Sequence, residues 1–182
     1  MKQVIAAPAV ILLAALALCC GCVSTRVATK PYKSGRILLL PPRDLVQNGA
    51  PRPQGVGSGR IFQDHLVRSF AGTAFELVTT DSKEFSATEI AEKGKGLEEA
   101  KKLNANFCLQ IVLGEFLNAA PMTFRPDYIY LNQACMYDVR TGEAVWQIVK
   151  PLYLNKGNPG NHLVLLESLA RIVSKSICTH VQ

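Results

Sequence analysis

The sequence predicts an α/β domain: one mixed sheet with helices packed on it, ending in a β-hairpin and a closing helix. Three observations carry this. Short apolar runs alternate with amphipathic stretches from residue 36 onward, which is the pattern of crossover units and a partly parallel sheet. Late in the chain two apolar runs flank Arg140-Thr141-Gly142, a tight-turn sequence that adds antiparallel strands. The last stretch has apolar residues at helical spacing.

The elements follow in order. Arg36 to Pro41 is a short apolar run closed by Pro41-Pro42, so it reads as a buried strand. Residues 42–59 are rich in Pro and Gly and read as a long loop. Gly59 to Ala71 is a helix with Phe62, Leu66 and Phe70 on one side. Phe75 to Thr79 is a strand. Ala87 to Asn104 is helical in composition, with a break expected at Gly94 and Gly96 and the better helix over Leu97 to Leu103. Phe107 to Phe116 is the strongest strand, placing Phe107, Leu109, Ile111 and Leu113 on one face. After a loop over 117–127, Tyr128 to Asp138 and Glu143 to Tyr153 are strands, and Gly142 supplies the positive φ their turn needs. Asn155 to Asn161 is a loop. His162 to Thr179 closes the domain as a helix, with Leu166, Ala170, Val173 and Ile177 in a stripe.

The chain has 182 residues, the size of one domain, and 48% of them are apolar. Residues 1–21 hold a disproportionate share; the rest has an ordinary globular balance. This excludes a disordered chain, a collagen-like chain and a multi-span membrane protein. The net charge is +6, and only Lys2 of the first 21 residues contributes to it. Several cations come early, at Arg26, Lys30, Lys33, Arg36, Arg43, Arg52 and Arg60. They suit a solvated tether, or attraction to anionic lipid head groups. No compact Lys/Arg block with interleaved aromatics is present, so nucleic acid is not an expected partner.

Residues 1–21 read as a secretory signal: a short positive start, then an apolar run from Val4 to Cys20 that ends in small residues and cysteines. Leu18-Cys19-Cys20-Gly21-Cys22 resembles the bacterial lipoprotein box, a small residue before the cysteine that is lipidated. Gly21 makes Cys22 the favoured site, with Cys20 second. The box implies a diacylglyceryl thioether on the sulfur, cleavage before the cysteine, and acylation of the new amine. Each buried methylene adds about 0.8 kcal/mol, so two or three chains hold firmly. Neither Val23 nor Ser24 is the aspartate associated with inner-membrane retention, which favours the outer membrane, periplasmic side. Residues 22–34 are then a lipidated tether reaching about 40 Å when extended, and residues 35–182 the periplasmic domain.

Ile37-Leu-Leu-Leu-Pro-Pro42, Asn106-Phe-Cys-Leu-Gln-Ile-Val-Leu-Gly-Glu115 and Tyr137-Asp-Val-Arg-Thr-Gly-Glu-Ala-Val-Trp146 resemble a known group. It is the curli-secretion-channel-like and TolB-amino-terminal-like envelope lipoproteins, whose hairpin reads Asp, two residues, Thr-Gly-Glu, two residues, Trp. The resemblance spans about residues 36–180. It implies an α/β domain that binds envelope proteins and is not an enzyme. Members serve as secretion pores, activators of peptidoglycan synthases and accessory lipoproteins of transport systems.

Candidate chemistry is sparse. His65, His162 and His180 form no metal-ligand spacing, and no cofactor or metal is expected. Cys108, Cys135 and Cys178 are small buried hydrophobes, or Cys108 and Cys135 form a disulfide, which the periplasm permits. Gly55-Val-Gly-Ser-Gly-Arg60 precedes a helix and could cradle a phosphate, but it lacks the Gly-Lys-Ser/Thr of a P-loop. Tyr128, Tyr130, Tyr137, Tyr153 and Trp146 concentrate aromatics in the hairpin. They serve sheet packing, or they anchor an interface with an envelope protein. A pore or ring of identical subunits is the rival function. A barrel would need lipid-facing strands of about 9–11 residues, and the loops are too short or too polar to add them.

Overall fold

The computed structural model describes residues 25–27, 32–80, 93–117, 127–148, 150–156 and 163–181. The signal segment, Cys22, His162, most of the loop over 117–127 and the start of the expected second helix lie outside these residues.

Among the described residues, the framework is a mixed sheet flanked by three α-helices. Strand β1 is Thr25–Val27, β2 is Gly35–Leu39, β3 is Val46–Gln47 and β4 is Ala50–Pro51. Helix α1 is Ser58–Phe70, β5 is Phe75–Thr79 and α2 is Lys93–Lys102. Then come β6 (Phe107–Leu117), β7 (Asp127–Asp138), β8 (Ala144–Ile148), β9 (Leu152–Lys156) and α3 (Leu163–His180). The main order is β1-β8-β7-β6-β2-β5. Strand β2 pairs in parallel with both β5 and β6, through crossovers, and β6–β7–β8 is antiparallel. This is the expected mixed α/β sheet with its late hairpin and closing helix.

Strand alternation divides the core. Ile37, Leu39, Phe107, Leu109 and Ile111 face α1 and α3, where they meet Phe62, Leu66, Phe70, Leu166, Ala170, Val173 and Ile177. Leu38, Leu40 and Cys108 face the other way, against Ala100 and Leu97 of α2. The stripes read from the sequence on both outer helices are the buried ones.

Several elements differ from expectation. Within the expected tether, Thr25–Val27 adds to the sheet edge, antiparallel to β8. Within the expected loop, Asn48-Gly49 turns β3 back on β4 with Gln47 opposite Ala50, and both turn residues have positive φ (51° and 72°). That is the two-residue hairpin for which Asn-Gly is a strong signal. Helix α2 runs through Gly94 and Gly96 instead of breaking. A side chain at Gly96 would come within 2.7 Å of Leu40 and 3.1 Å of the Cys108 sulfur, so the glycine permits close helix–sheet packing. The last expected strand is two: β8 and β9 both run antiparallel to β7, one on each half of its length.

The Asp138–Glu143 turn forms as its sequence suggests. Gly142 has φ 71°, and its N–H donates to the Asp138 carbonyl at 2.8 Å.

Candidate interaction surface

The strand pair β7–β9 builds an aromatic cluster from the period-2 alternation of its residues. Ile129 and Leu131 are fully buried, and Leu152 and Leu154 pack beside them on the core. Their strand neighbours therefore face outward. Tyr130 stands opposite Tyr153, and Tyr128 opposite Asn155. The three rings gather with centroids 5.1 Å (Tyr130–Tyr153), 5.3 Å (Tyr128–Tyr130) and 5.6 Å (Tyr128–Tyr153) apart. Tyr153 is 41% exposed and Tyr128 and Tyr130 are half-buried, so the cluster presents a surface.

The other aromatics singled out in the sequence go elsewhere. Trp146 is fully buried in the main core, and its indole N–H donates to the Ser176 hydroxyl of α3 at 3.1 Å. It packs the sheet and offers nothing to a surface. Tyr137 faces Cys108 across β6–β7 and is hydrogen-bonded to Cys135. Burial and the Cys135 contact push its hydroxyl pKa up.

Cys108 and Cys135 are both buried, and no disulfide joins them in this structure. Cys108 stands opposite Tyr137 and Cys135 opposite Gln110, so the two cysteines are diagonal neighbours. Diagonal residues of an antiparallel pair sit about 7–8 Å apart at Cα, wider than the usual disulfide span of about 4.4–6.8 Å. At that separation the register does not favour the bridge considered from sequence. Burial, with the neighbouring Cys135, pushes the Cys108 thiol up to about 12, far from a nucleophile's range.

The chain entering the domain is fixed at two points. One is β1 on β8. The other is Tyr32, whose backbone N–H donates to the Val181 carbonyl. Its ring meets Phe107 edge-on at 4.9 Å, and its hydroxyl donates to Asp138 Oδ2 at 2.8 Å. Asp138 is 5% exposed and also accepts the N–H groups of Arg140 (2.8 Å) and Thr141 (3.0 Å). Burial raises its pKa. The Thr141 N–H, the Tyr32 hydroxyl, the Arg140 N–H and the Arg140 charge outweigh that and hold it below the usual carboxylate value. Tyr32 in turn is raised, by burial first and then by Asp138. The Asp-x-x-Thr-Gly-Glu sequence thus does two jobs: it folds the hairpin and it fastens the tether.

Two other sequence candidates are already satisfied internally. The Gly-rich run before α1 does hold a carboxylate, but its own: Asp44 accepts the N–H groups of Gly57 (2.9 Å) and Gly59 (2.8 Å). Asp44 occupies the place an anionic ligand would take. His65 lines a groove between α1 and α3 with Ser69 and Ser174. Both hydroxyls donate to helix carbonyls, Ser69 to His65 and Ser174 to Arg171, so neither is set up as a nucleophile. Among the described residues there is no group of three His, Cys, Asp or Glu side chains that could hold a metal, and no helix long and apolar enough to cross a membrane.

No family model and no curated protein matches the chain at the level of sequence. Solved structures do match. The PelC dodecamer from Paraburkholderia phytofirmans is 13% identical with a TM-score of 0.60, over 85% of this chain and 95% of that one. The hypothetical protein CT253 from Chlamydia trachomatis is 13% identical with a TM-score of 0.54, over 80% and 99%. Lipoprotein GNA1162 from Neisseria meningitidis is 16% identical with a TM-score of 0.51, over 79% and 98%. The chain therefore shares its fold with a set of bacterial proteins, one of them a lipoprotein.

Proposed function

We propose that this protein is a lipoprotein anchored through Cys22 on the periplasmic side of the outer membrane, where it acts as a non-enzymatic protein-binding or assembly module. One observation carries the reading. Thr25, three residues after Cys22, begins an edge strand of the sheet. Three residues span about 11 Å at most. An anchor at Cys22 would therefore hold the domain against the membrane instead of on a long leash. Confinement to a thin layer raises the domain's effective concentration for a membrane-bound partner. The likeness to a lipoprotein's fold supports the same reading. The resemblance to envelope lipoproteins in the hairpin sequence supports a protein partner.

The test is fractionation and cross-linking in intact cells. The native chain is expected in the outer-membrane fraction with an envelope protein cross-linked to it; Cys22→Ala is expected in the soluble fraction without that partner. Equal membrane recovery of both chains would remove the anchor from the account.

A second reading, a self-assembling ring, is favoured by the dodecameric state of the PelC structure that shares this fold. A discrete oligomer of identical chains in mild detergent would select it over a monomer docked on a different protein.

A further inference from the structure

We infer that the tyrosine cluster of β7 and β9, with Lys150 in the link that leads into β9, is a seat for the lipid head-group layer that holds the anchor. The inference rests on lipidation of Cys22 and deepens that reading by naming the face that meets the membrane.

Strand direction supplies the first argument. Thr25 lies opposite Ile148, and β1 is antiparallel to β8. Ile148 pairs with Ala134 of β7, and β9 continues along β7 in the same sense, with Leu152 opposite Leu131 and Tyr153 opposite Tyr130. The N-terminal end of β1 therefore points toward the β9 end of the sheet. That is the end bearing Tyr128, Tyr130 and Tyr153. Cys22 can stand no more than about 11 Å from Thr25. A bilayer holding its acyl chains must pass close to this edge.

The chemistry of the surface supplies the second. A phenol is apolar along its ring and polar at its tip, which suits the boundary between head groups and water; tyrosine concentrates there for that reason. Three such rings lie together on the sheet face turned away from α1 and α3. Exposed Lys150 sits in the three-residue link between β8 and β9, suited to an anionic head group.

Hydrogen exchange on the full chain, purified from membranes and placed in lipid nanodiscs, tests this. Intact mass first reads whether Cys22 carries lipid. In phosphatidylethanolamine/phosphatidylglycerol discs, amides of residues 127–131 and 152–156 are expected to exchange about tenfold more slowly than in the soluble Cys22→Ala chain, with α1 unchanged. A Tyr153→Ser/Lys150→Glu chain, altered only at exposed positions, should stay anchored and lose that protection. Phosphatidylcholine discs should give less protection than the anionic ones. An unlipidated mass overturns the anchor and the seat together. A lipidated chain with no slowing at these strands, or slowing at α1 and α3 instead, overturns the seat alone. Equal slowing in the lipid-free chain at raised concentration would assign the surface to a second copy and also overturn it.

Discussion

Asp138 shows how one carboxylate joins distant parts of the chain. It binds its own turn through the Arg140 and Thr141 N–H groups and the tether through the Tyr32 hydroxyl. Because its pKa is held low in the fold, its contribution is present above the unfolded value of about 4 and disappears as pH falls through the folded value. Asp138→Asn is expected to cost about 1–3 kcal/mol at neutral pH. The gap between the two chains should shrink in denaturant melts below about pH 4. A gap that stays constant with pH would mean that geometry, not charge, accounts for the loss. The hairpin motif was legible at this scale as a turn, because Asp, Thr and Gly have local conformational roles. Its grip on Tyr32 was not, since the partners are 106 positions apart. Trp146 was similarly ambiguous: sequence gives an aromatic beside a turn, and only the position of Ser176 on α3 shows that its N–H is satisfied inside.

Helices and strands were legible wherever one face is buried and the other wet. The stripes of α1 and α3 and the alternation of β6 survive because burial imposes them. What failed was punctuation. Gly94 and Gly96 carry the same intrinsic penalty within a helix, yet α2 passes through both. Local propensity cannot reveal that Gly96 is pressed on Leu40 and Cys108. The same contrast yields a paired prediction on helix ends. A Cβ on Gly59, at the start of α1, would lie 2.3 Å from the Pro42 carbonyl oxygen, while a Cβ on Gly94 meets nothing within 4 Å. Alanine favours helix at either position. Gly59→Ala should nevertheless destabilise by about 1–3 kcal/mol, because a backbone atom must move. Gly94→Ala should gain up to about 1 kcal/mol. Thermal melts of the two single variants decide it; shifts of the same sign would mean that α1 can slide to relieve the contact.

For the molecule as a whole, the question is whether tether and domain form one body. Composition made residues 22–34 look like free chain, since nothing in Ser, Thr, Lys and Pro announces a strand. Edge pairing needs only backbone groups, which is why β1 was invisible in side-chain pattern. Three residues of edge strand are weak alone. The second fastening at Tyr32 is therefore expected to decide how often the tether lifts. Tyr32→Ala removes the ring on Phe107 and the hydroxyl on Asp138; Tyr32→Phe removes only the hydroxyl. Tryptic cleavage after Arg26 reads the lifted population when closing outpaces cutting. Cleavage should rise roughly tenfold or more in Tyr32→Ala and by less in Tyr32→Phe, because a lost hydrogen bond of about 1 kcal/mol shifts an opening equilibrium by less than ring and bond together. If all three chains are cut equally fast, the segment lifts independently of Tyr32, and the anchor proposed at Cys22 would give the domain no preferred face toward a membrane. A graded response would mean that the contact made by Tyr32 in the core sets how firmly Thr25–Val27 stays on the sheet. Orientation at the membrane would then be a property of the fold.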